Sequence, residues 1–490
     1  MGQPESPASL ESIAYLEAVP LAERRKEGLV YTPRRLVDFI LDLALDVTTQ
    51  PIESTRILDP ASGSGAFLEQ ITFRLARRLV EKGVDFSVPA GSGALLGTIE
   101  ACVFGCDKDP NACAIARRSI RDLAGRLLGS PIPPKFFDSN VQVKDYLGVD
   151  KLHFNGDSRF DLIVGNPPYV TTSRLSTAHK NELRDLFSSA NGRVDLYALF
   201  FERSLQLLAP GGRLALITPN KFLTSESARP LRRLILQMSC VNVIAIFRSH
   251  RVFGGAATVP CVTVLERGGN AQAINLLECD VSQGKGIVVV SKSQVDCPRQ
   301  DGEPWFLADP RLLEVAQLIR GTHAHLRALT RRISSGMATG RDGLFVAPCS
   351  PGLDVEPELK RPAVRGQDIL PFQICDPKLE ILIPYVHGAN NKPTLIDMND
   401  FPKAVAYLET FRGELEARHC VREWKKTWYD LHDPWLEDIT SVPKILVPDI
   451  ARSNRFALDT GYFCPLDSAY YIIPVGVHPE YLVAVLNSKP

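Results

Sequence analysis

The stretch from Arg56 to about Val80 limits what this chain can fold into more than any other. Arg56-Ile57-Leu58-Asp59 reads as a short apolar strand. It runs directly into Pro60-Ala61-Ser62-Gly63-Ser64-Gly65 and then into a long amphipathic pattern. A strand, a glycine-rich turn and a helix N-terminus form a cradle for a nucleotide-like ligand. Glycines let the backbone approach closely, and the free N–H groups of the first turn meet polar ligand atoms. The pattern is Gly-x-Gly with no third glycine, so the dinucleotide fingerprint fails. Asp59, placed before the glycines, suits a ligand with a cationic amino group better than a pyrophosphate.

Six further runs have strand character: 101–106, 141–146, 160–165, 213–219, 241–247 and 260–266. Most are separated by helical patterns, which predicts a doubly wound, seven-stranded, Rossmann-like α/β sheet. Such sheets bind ligands along the carboxyl edge of their strands. Asp107 at the tip of the second strand is placed to grip a ribose diol; the alternative is a cap for the helix 110–128. Asp145 at the end of the third can accept from an adenine amino group, with Tyr146 against the ring, unless the pair is a surface turn. Tyr31-Thr32-Pro33 precedes a helical pattern over 34–45, with Thr32 as N-cap and Pro33 at the first helical position. The polar, broken stretch 171–193 suits a mobile flap.

The fourth run ends in Asn166-Pro167-Pro168-Tyr169. As a bare tetrapeptide this is turn composition. Its chemistry also suits methylation of a planar amine. Such a nitrogen has a delocalised lone pair and is a poor nucleophile until acceptors hold its two hydrogens. Asn166 offers a side-chain oxygen. Pro167 has no N–H and a fixed φ, so its carbonyl can be aimed rigidly. Tyr169 offers a flat face for stacking. Phe253, on a glycine-flanked loop, is a candidate for the opposite face, or else a core residue.

A chain of 490 residues exceeds one ordinary core, so at least two domains are expected. With 45% hydrophobic and 23% charged residues it has the composition of a folded soluble protein, and no apolar run long enough to span a bilayer. The polar N-terminus carries no signal segment. Its eleven scattered cysteines lack metal-ligand spacing, and no metal is expected; buried thiols in a reducing cytosol are the reading. Zero net charge argues against a wholly basic nucleic-acid coat but leaves room for a local basic cleft. From about residue 271 the pattern changes. A linker with connecting helices is expected over 271–330, including a helix from Pro310, and a second domain over 331–490. Arg418 to Tyr429 mixes basic and aromatic residues in a way that suits phosphates and exposed bases, or else forms an amphipathic helix.

The order of these motifs resembles that of S-adenosylmethionine-dependent amino-group methyltransferases, within them the gamma-order adenine-N6 DNA methyltransferases of TaqI-like and Eco57I-like type. The resemblance covers most of residues 30–266. It implies that Tyr31, Thr32, Asp59 and Ala61 surround the methionine end of the cofactor at the Gly63–Gly65 turn. It implies Asp107 on the ribose and Asp145 with Tyr146 at the adenine. Asn166 and Pro167 would then accept from the target amine, with Pro168 completing the motif and Tyr169 and Phe253 stacking on a flipped base. Gly336 to Gly340, Pro443-Lys444-Ile445 and Leu486 to Lys489 resemble markers of the family's α+β target-recognition domain, which related chains continue past residue 490. The expected partner is duplex DNA, clamped against the catalytic face, with no membrane. The expected setting is the bacterial cytoplasm and nucleoid, in a restriction or phage-defence system whose nuclease or other defence subunit is separate or lies beyond residue 490. Other planar amines (cytosine N4, an RNA adenine, a glutamine carboxamide) and a vestigial DNA-binding subunit remain as alternatives.

Overall fold

The structure, a computed structural model, describes residues 32–45, 51–148, 159–172, 175–190, 194–248, 259–269, 273–282, 286–298, 302–307, 325–387, 393–433, 438–451 and 453–488, with isolated positions such as Tyr15 and Val252. Two compact units meet in the chain at Glu314 and Val315.

The first unit contains all seven expected strands: β1 (Ile57–Asp59), β2 (Val103–Asp107), β3 (Val141–Val143), β4 (Phe160–Gly165), β5 (Leu208–Pro219), β6 (Ser239–Phe247) and β7 (Pro260–Arg267). Two more, β8 (Ala273–Ser282) and β9 (Gly286–Asp296), extend the same sheet in the order β3-β2-β1-β4-β5-β7-β6-β8-β9. Strands β1 to β5 pair in parallel, and β7 inserts antiparallel between β5 and β6.

The expected boundary at 270 therefore falls inside this unit, and residues 273–282 and 286–296 of the segment read as linker are strands of its sheet. The reason is physical. Strand β9 lies at the sheet edge and exposes Val288, Val289 and Val290, so it lacks the buried apolar run that marks the inner strands. Farther on, Trp305 is also packed into this unit, at 2% exposure.

Helices α1 (Arg34–Leu45), α2 (Ala66–Glu81), α3 (Pro89–Cys102) and α4 (Pro110–Leu128) cover one face, where Ile40, Ile71, Ile99 and Ile120 join Ile57 and Leu162 in one core. Helices α5 (Thr177–Leu186), α6 (Leu196–Leu207) and α7 (Arg229–Met238) cover the other, with Leu58, Phe104 and Ile163 in the second core. Neighbours such as Ile57 and Leu58 serve opposite cores because side chains alternate along a strand. Parallel strands buried on both faces read as continuous apolar runs, which is why they were legible. The region expected as a flap instead contains α5, and Leu183, Phe187 and Ala190 there are buried.

One buried cation ties this layer together. Arg232 on α7 is fully buried, and its guanidinium donates to the carbonyls of Phe222 and Ser225 (2.7 Å each), Gly302 (2.9 Å) and Glu303 (2.9 Å). It thereby holds the chain that carries Trp305 against α7.

The second unit is α+β. One four-stranded antiparallel sheet joins Thr330–Ser335, Ala469–Pro474, Lys444–Pro448 and Ala457–Asp459; a mixed four-stranded sheet joins Val346–Pro348, Leu379–Leu382, Lys360–Val364 and Cys464–Pro465, the last pair in parallel. Short helices, Pro402–Glu409 and Pro479–Asn487 among them, complete it. Lys444 is fully buried and paired with Asp459. In the basic aromatic segment, read as suited to phosphates and bases or else as an amphipathic helix, two of the cations are held within the unit. Arg418 is buried, donates to the carbonyls of Leu415, Thr339 and Trp428, and lies over the Phe345 ring at 5.1 Å. Lys426 donates to the carbonyls of Leu431 and His432. His419, Arg422, Trp424 and Lys425 are its basic and aromatic members left exposed.

Among the described residues no helix is long and apolar enough to cross a membrane. The expected helix from Pro310 lies almost wholly outside the described residues.

Replacing Arg232 by Met should leave four carbonyls without their donor, those of Phe222 and Gly302 in buried bonds. Leaving such groups unsatisfied costs about 1–3 kcal/mol each before relaxation, and breaking buried charge networks about 3–5 kcal/mol in total. The variant should melt well below wild type, with the red shift of buried tryptophan emission at the front of the transition.

Candidate active site

The carboxyl ends of β1, β2, β3 and β4 open onto a cavity of about 190 Å³. Its wall includes Thr32, Asp59, Ala61, Ser62, Gly63, Asp107, Asp145, Tyr146, Asn166 and Pro168. Of the expected site residues, Gly65, Pro167 and Tyr169 stand outside that wall, while Tyr31 and Phe253 lie outside the described residues.

The turn after β1 is built by local necessity. Gly65 caps α2 at φ 96°, in the left-handed region, and a Cβ there would come within 2.9 Å of Ala116 on α4. Its glycine thus serves backbone shape and helix packing. Gly63 donates its N–H to Asp107 at 2.9 Å, and Asp109 donates to the other oxygen of Asp107 at 3.0 Å. Asp107 is therefore fixed across the turn. The helix cap is a different acid: Asp109 accepts from the N–H groups of Asn111 and Ala112 at the start of α4.

Asp59 is 1% exposed and accepts from the N–H of Ala61 at 3.1 Å. Burial pushes its carboxyl up to about 8; the Ala61 hydrogen bond opposes this and the nearby Asp107 adds to it. Burial also raises Asp107, against the hydrogen bonds from Asp109 and Gly63. Asp145 accepts from Leu147 at 2.9 Å. Tyr146 is mainly a core residue. Its hydroxyl pairs with Ser204 at 2.9 Å, and its ring stacks on Phe200 at 5.1 Å, so both rings border the cavity together.

Asn166 follows the last residue of β4. Its Nδ2 donates to the hydroxyl of buried Thr32 at 3.0 Å, so that hydroxyl serves Asn166 where a helix N-cap was expected. The Oδ1 of Asn166 is buried with no hydrogen-bond partner, and so is the Oγ of Ser62. A buried polar atom normally finds a partner, and an orphan costs about 1–3 kcal/mol. Other such atoms occur elsewhere, at Ser189, Thr218 and Trp305 among the described residues, but these two line the cavity, where a polar ligand can reach them. Tyr169 is half-buried, and its hydroxyl donates to the Ile217 carbonyl of β5 at 3.1 Å. Burial raises this phenol well above its usual range, so it stays neutral. Beyond it, Thr172 and Leu196 donate to the carbonyls of Val194 and Val170 at 2.8 Å, which pins the exit of the tetrapeptide to the start of α6.

Several cavity residues gave no signal in the sequence. Leu196 and Phe200 sit on α6, which reads as an ordinary amphipathic helix; Leu175 and His179 come from the supposed flap. Tyr15 lines the cavity from far upstream and donates to Asp109. The donor set fits a nucleoside bearing an amino acid: a buried acid for an ammonium, an acid for a diol, an acid beside two aromatic rings for a base. Among the described residues no cluster of His, Cys, Asp and Glu is arranged for a metal.

Comparison with known proteins agrees with this geometry. Residues 101–253 match the Eco57I restriction-modification methylase family, and residues 361–490 match the TaqI-like C-terminal specificity domain. The type II methyltransferase M.XhoI of Xanthomonas vasicola is 26% identical, over 94% of this chain and 85% of its own. M.PaeR7I of Pseudomonas aeruginosa is also 26% identical, over 94% and 80%. Among solved structures, the type IIL restriction-modification enzyme MmeI, determined in complex with DNA, matches with a TM-score of 0.63 at 15% identity, covering 99% of this chain and 67% of that one. That likeness shows a shared fold.

The raised carboxyl of Asp59 carries a prediction. Burial pushes it up to about 8, so without an ammonium beside it the carboxyl is expected to hold its proton at pH 7. Pairing with an ammonium requires the carboxylate, so S-adenosylmethionine binding should release a proton there and tighten as pH rises towards 8. Calorimetry in buffers of different ionisation enthalpy should show this release at pH 7, and Asp59→Asn should remove it.

Proposed function

We propose that this chain, a DNA methyltransferase of the Eco57I- and TaqI-like kind, transfers a methyl group to the exocyclic N6 of an adenine swung out of duplex DNA. The observation that carries the reading is the buried, unpartnered Oδ1 of Asn166 on the wall that also holds Asp59. It is an acceptor set in place with nothing to accept from.

When bound, S-adenosylmethionine supplies an electrophilic methyl on a sulfonium. In this reading Asp59 takes its ammonium, with Thr32, Ala61 and the Gly63 turn around the methionine end. Asp107 takes the ribose hydroxyls, and Asp145 the adenine amino group, against Tyr146 and Phe200. These groups fix the donor in the carboxyl edge of the sheet.

The amine is activated by its hydrogen bonds. The Oδ1 of Asn166 and the carbonyl of Pro167 hold the two hydrogens of the target NH₂, so that the nitrogen can turn tetrahedral and expose its lone pair. The same acceptors stabilise the positive charge that grows on nitrogen. Tyr169, anchored through its hydroxyl to Ile217, supports the base from one face, and Phe253 is proposed for the other. No carboxylate is required as a base: the proton leaves after the methyl has arrived, when the nitrogen is strongly acidic. The rest of the rate comes from position. The second unit is proposed to read the target sequence in duplex DNA, and the protein to act in the bacterial cytoplasm alongside a restriction endonuclease or another defence subunit.

Methyl-labelled S-adenosylmethionine offered with duplex DNA, RNA and protein tests the substrate, and nuclease digestion followed by mass spectrometry identifies the product. N6-methyladenine in duplex DNA is expected; label in RNA or protein alone, or only N4-methylcytosine, would overturn the reading. Asn166→Ala should lower turnover by at least about 100-fold, the scale for removing one hydrogen bond to a developing charge. Cofactor affinity without DNA should change little.

A further inference from the structure

Thr32 and Asn166 stand 134 positions apart in the chain, yet their side chains share one 3.0 Å hydrogen bond. The two ends of an amide are not equivalent for catalysis. Oδ1 can hold a hydrogen of the target amine, whereas Nδ2 would push its own hydrogens against it. Rotation about the last side-chain bond exchanges the two. Something must therefore select the orientation in which Oδ1 faces the target.

A hydroxyl has one proton and two lone pairs. Thr32 accepts from Nδ2, so its proton is directed elsewhere. Thr32 also lines the cavity with Asp59. The carboxylate of Asp59 lies against the residue before Asn166, since a Cβ on Gly165 would come within 2.6 Å of its Oδ1. An ammonium held there carries a carboxylate on the same carbon, within this corner of the site.

We propose that Thr32 is a positioning residue that couples cofactor occupancy to the orientation of the catalytic amide. This rests on the roles of Asp59 and Asn166 given above. The Thr32 hydroxyl donates its proton to the carboxylate at the methionine end of the cofactor. Only lone pairs then remain for Asn166, which must present Nδ2 to Thr32 and Oδ1 to the target. Without that carboxylate the hydroxyl can equally donate to Oδ1, and both orientations are open. Coupling of this kind is reciprocal, so a target adenine held by Oδ1 must in turn tighten the cofactor.

The test uses S-adenosylhomocysteine, which has the same amino-acid end and no methyl to transfer, titrated with and without a duplex carrying the mapped target site. Wild type should bind it about 10-fold more tightly with the duplex, a typical coupling. Thr32→Val should bring that ratio close to one and slow single-turnover transfer, while 2-aminopurine at the target position still reports a flipped base. Thr32→Ser keeps the hydroxyl and should retain the coupling. In an Asn166→Ala background, which should itself lack the coupling, Thr32→Val should change nothing further. If Thr32→Val weakens the ligand equally with and without DNA, or Thr32→Ser loses the coupling while remaining folded, the relay is overturned and Thr32 is a simple contact. Wild-type protein that methylates no duplex overturns the functional reading instead.

Discussion

Everything at this site depends on the parallel pairing of β1 with β4. The register Ile57 to Leu162 and Leu58 to Ile163 carries the ends of both strands to the same edge. There the acid that closes β1 and the amide that follows β4 become neighbours, although more than 100 residues separate them in the chain. Gly165 makes the approach possible, because any side chain would occupy the place of the Asp59 carboxylate. One missing Cβ thus sets the distance between a group suited to a cationic donor and a group suited to the accepting amine. Methyl transfer is a reaction of position, and the sheet sets that position in backbone before any side chain is chosen.

The sheet was readable because inner parallel strands are buried on both faces and leave long apolar runs. Strand β9 escaped because an edge strand needs no such run, and β8, though inside the sheet, alternates buried with partly exposed residues along most of its length. Among site residues, those at strand tips were readable, since a polar residue just after a buried run has few structural reasons to be there. Asp59, Asp107, Asp145 and Asn166 all have that placement, and all line the cavity. Residues contributed by helices were not. Phe200 and Leu196 follow a 3.6-residue period that packing alone would produce. Gly65 was readable for a different reason from its actual one: it looked like a ligand-approach glycine, but the structure uses it to bring α2 against α4.

In the second unit the sequence misled through charge. Basic residues among aromatics look like a nucleic-acid surface, yet Arg418 and Lys426 spend their donors on backbone carbonyls, and Lys444 is buried against Asp459. An arginine with three carbonyl acceptors and an aromatic ring beneath it behaves as a cross-link between loops. Composition cannot separate this use from phosphate binding, because both require the same side chain. The distinction rests on where the backbone presents acceptors, which is a tertiary property. His419, Arg422, Trp424 and Lys425, left exposed on the same segment, are the part of that signal that survives folding.

The orphaned acceptors give the site its direction. In the orientation observed, Oδ1 of Asn166 and Oγ of Ser62 have no partners among the described residues, at a cost of a few kcal/mol on the usual scale of about 1–3 each. A second internal donor placed where the target amine has to be held would remove part of that cost and stabilise the fold, but it would block the reaction. The same holds for Asp59, whose buried carboxyl would be more comfortable with an internal cation. Arg232 and Arg418 meet backbone acceptors within the protein, whereas Asn166 and Asp59 at this wall keep groups that a ligand can engage, and a fold that does so has exchanged stability for chemistry there.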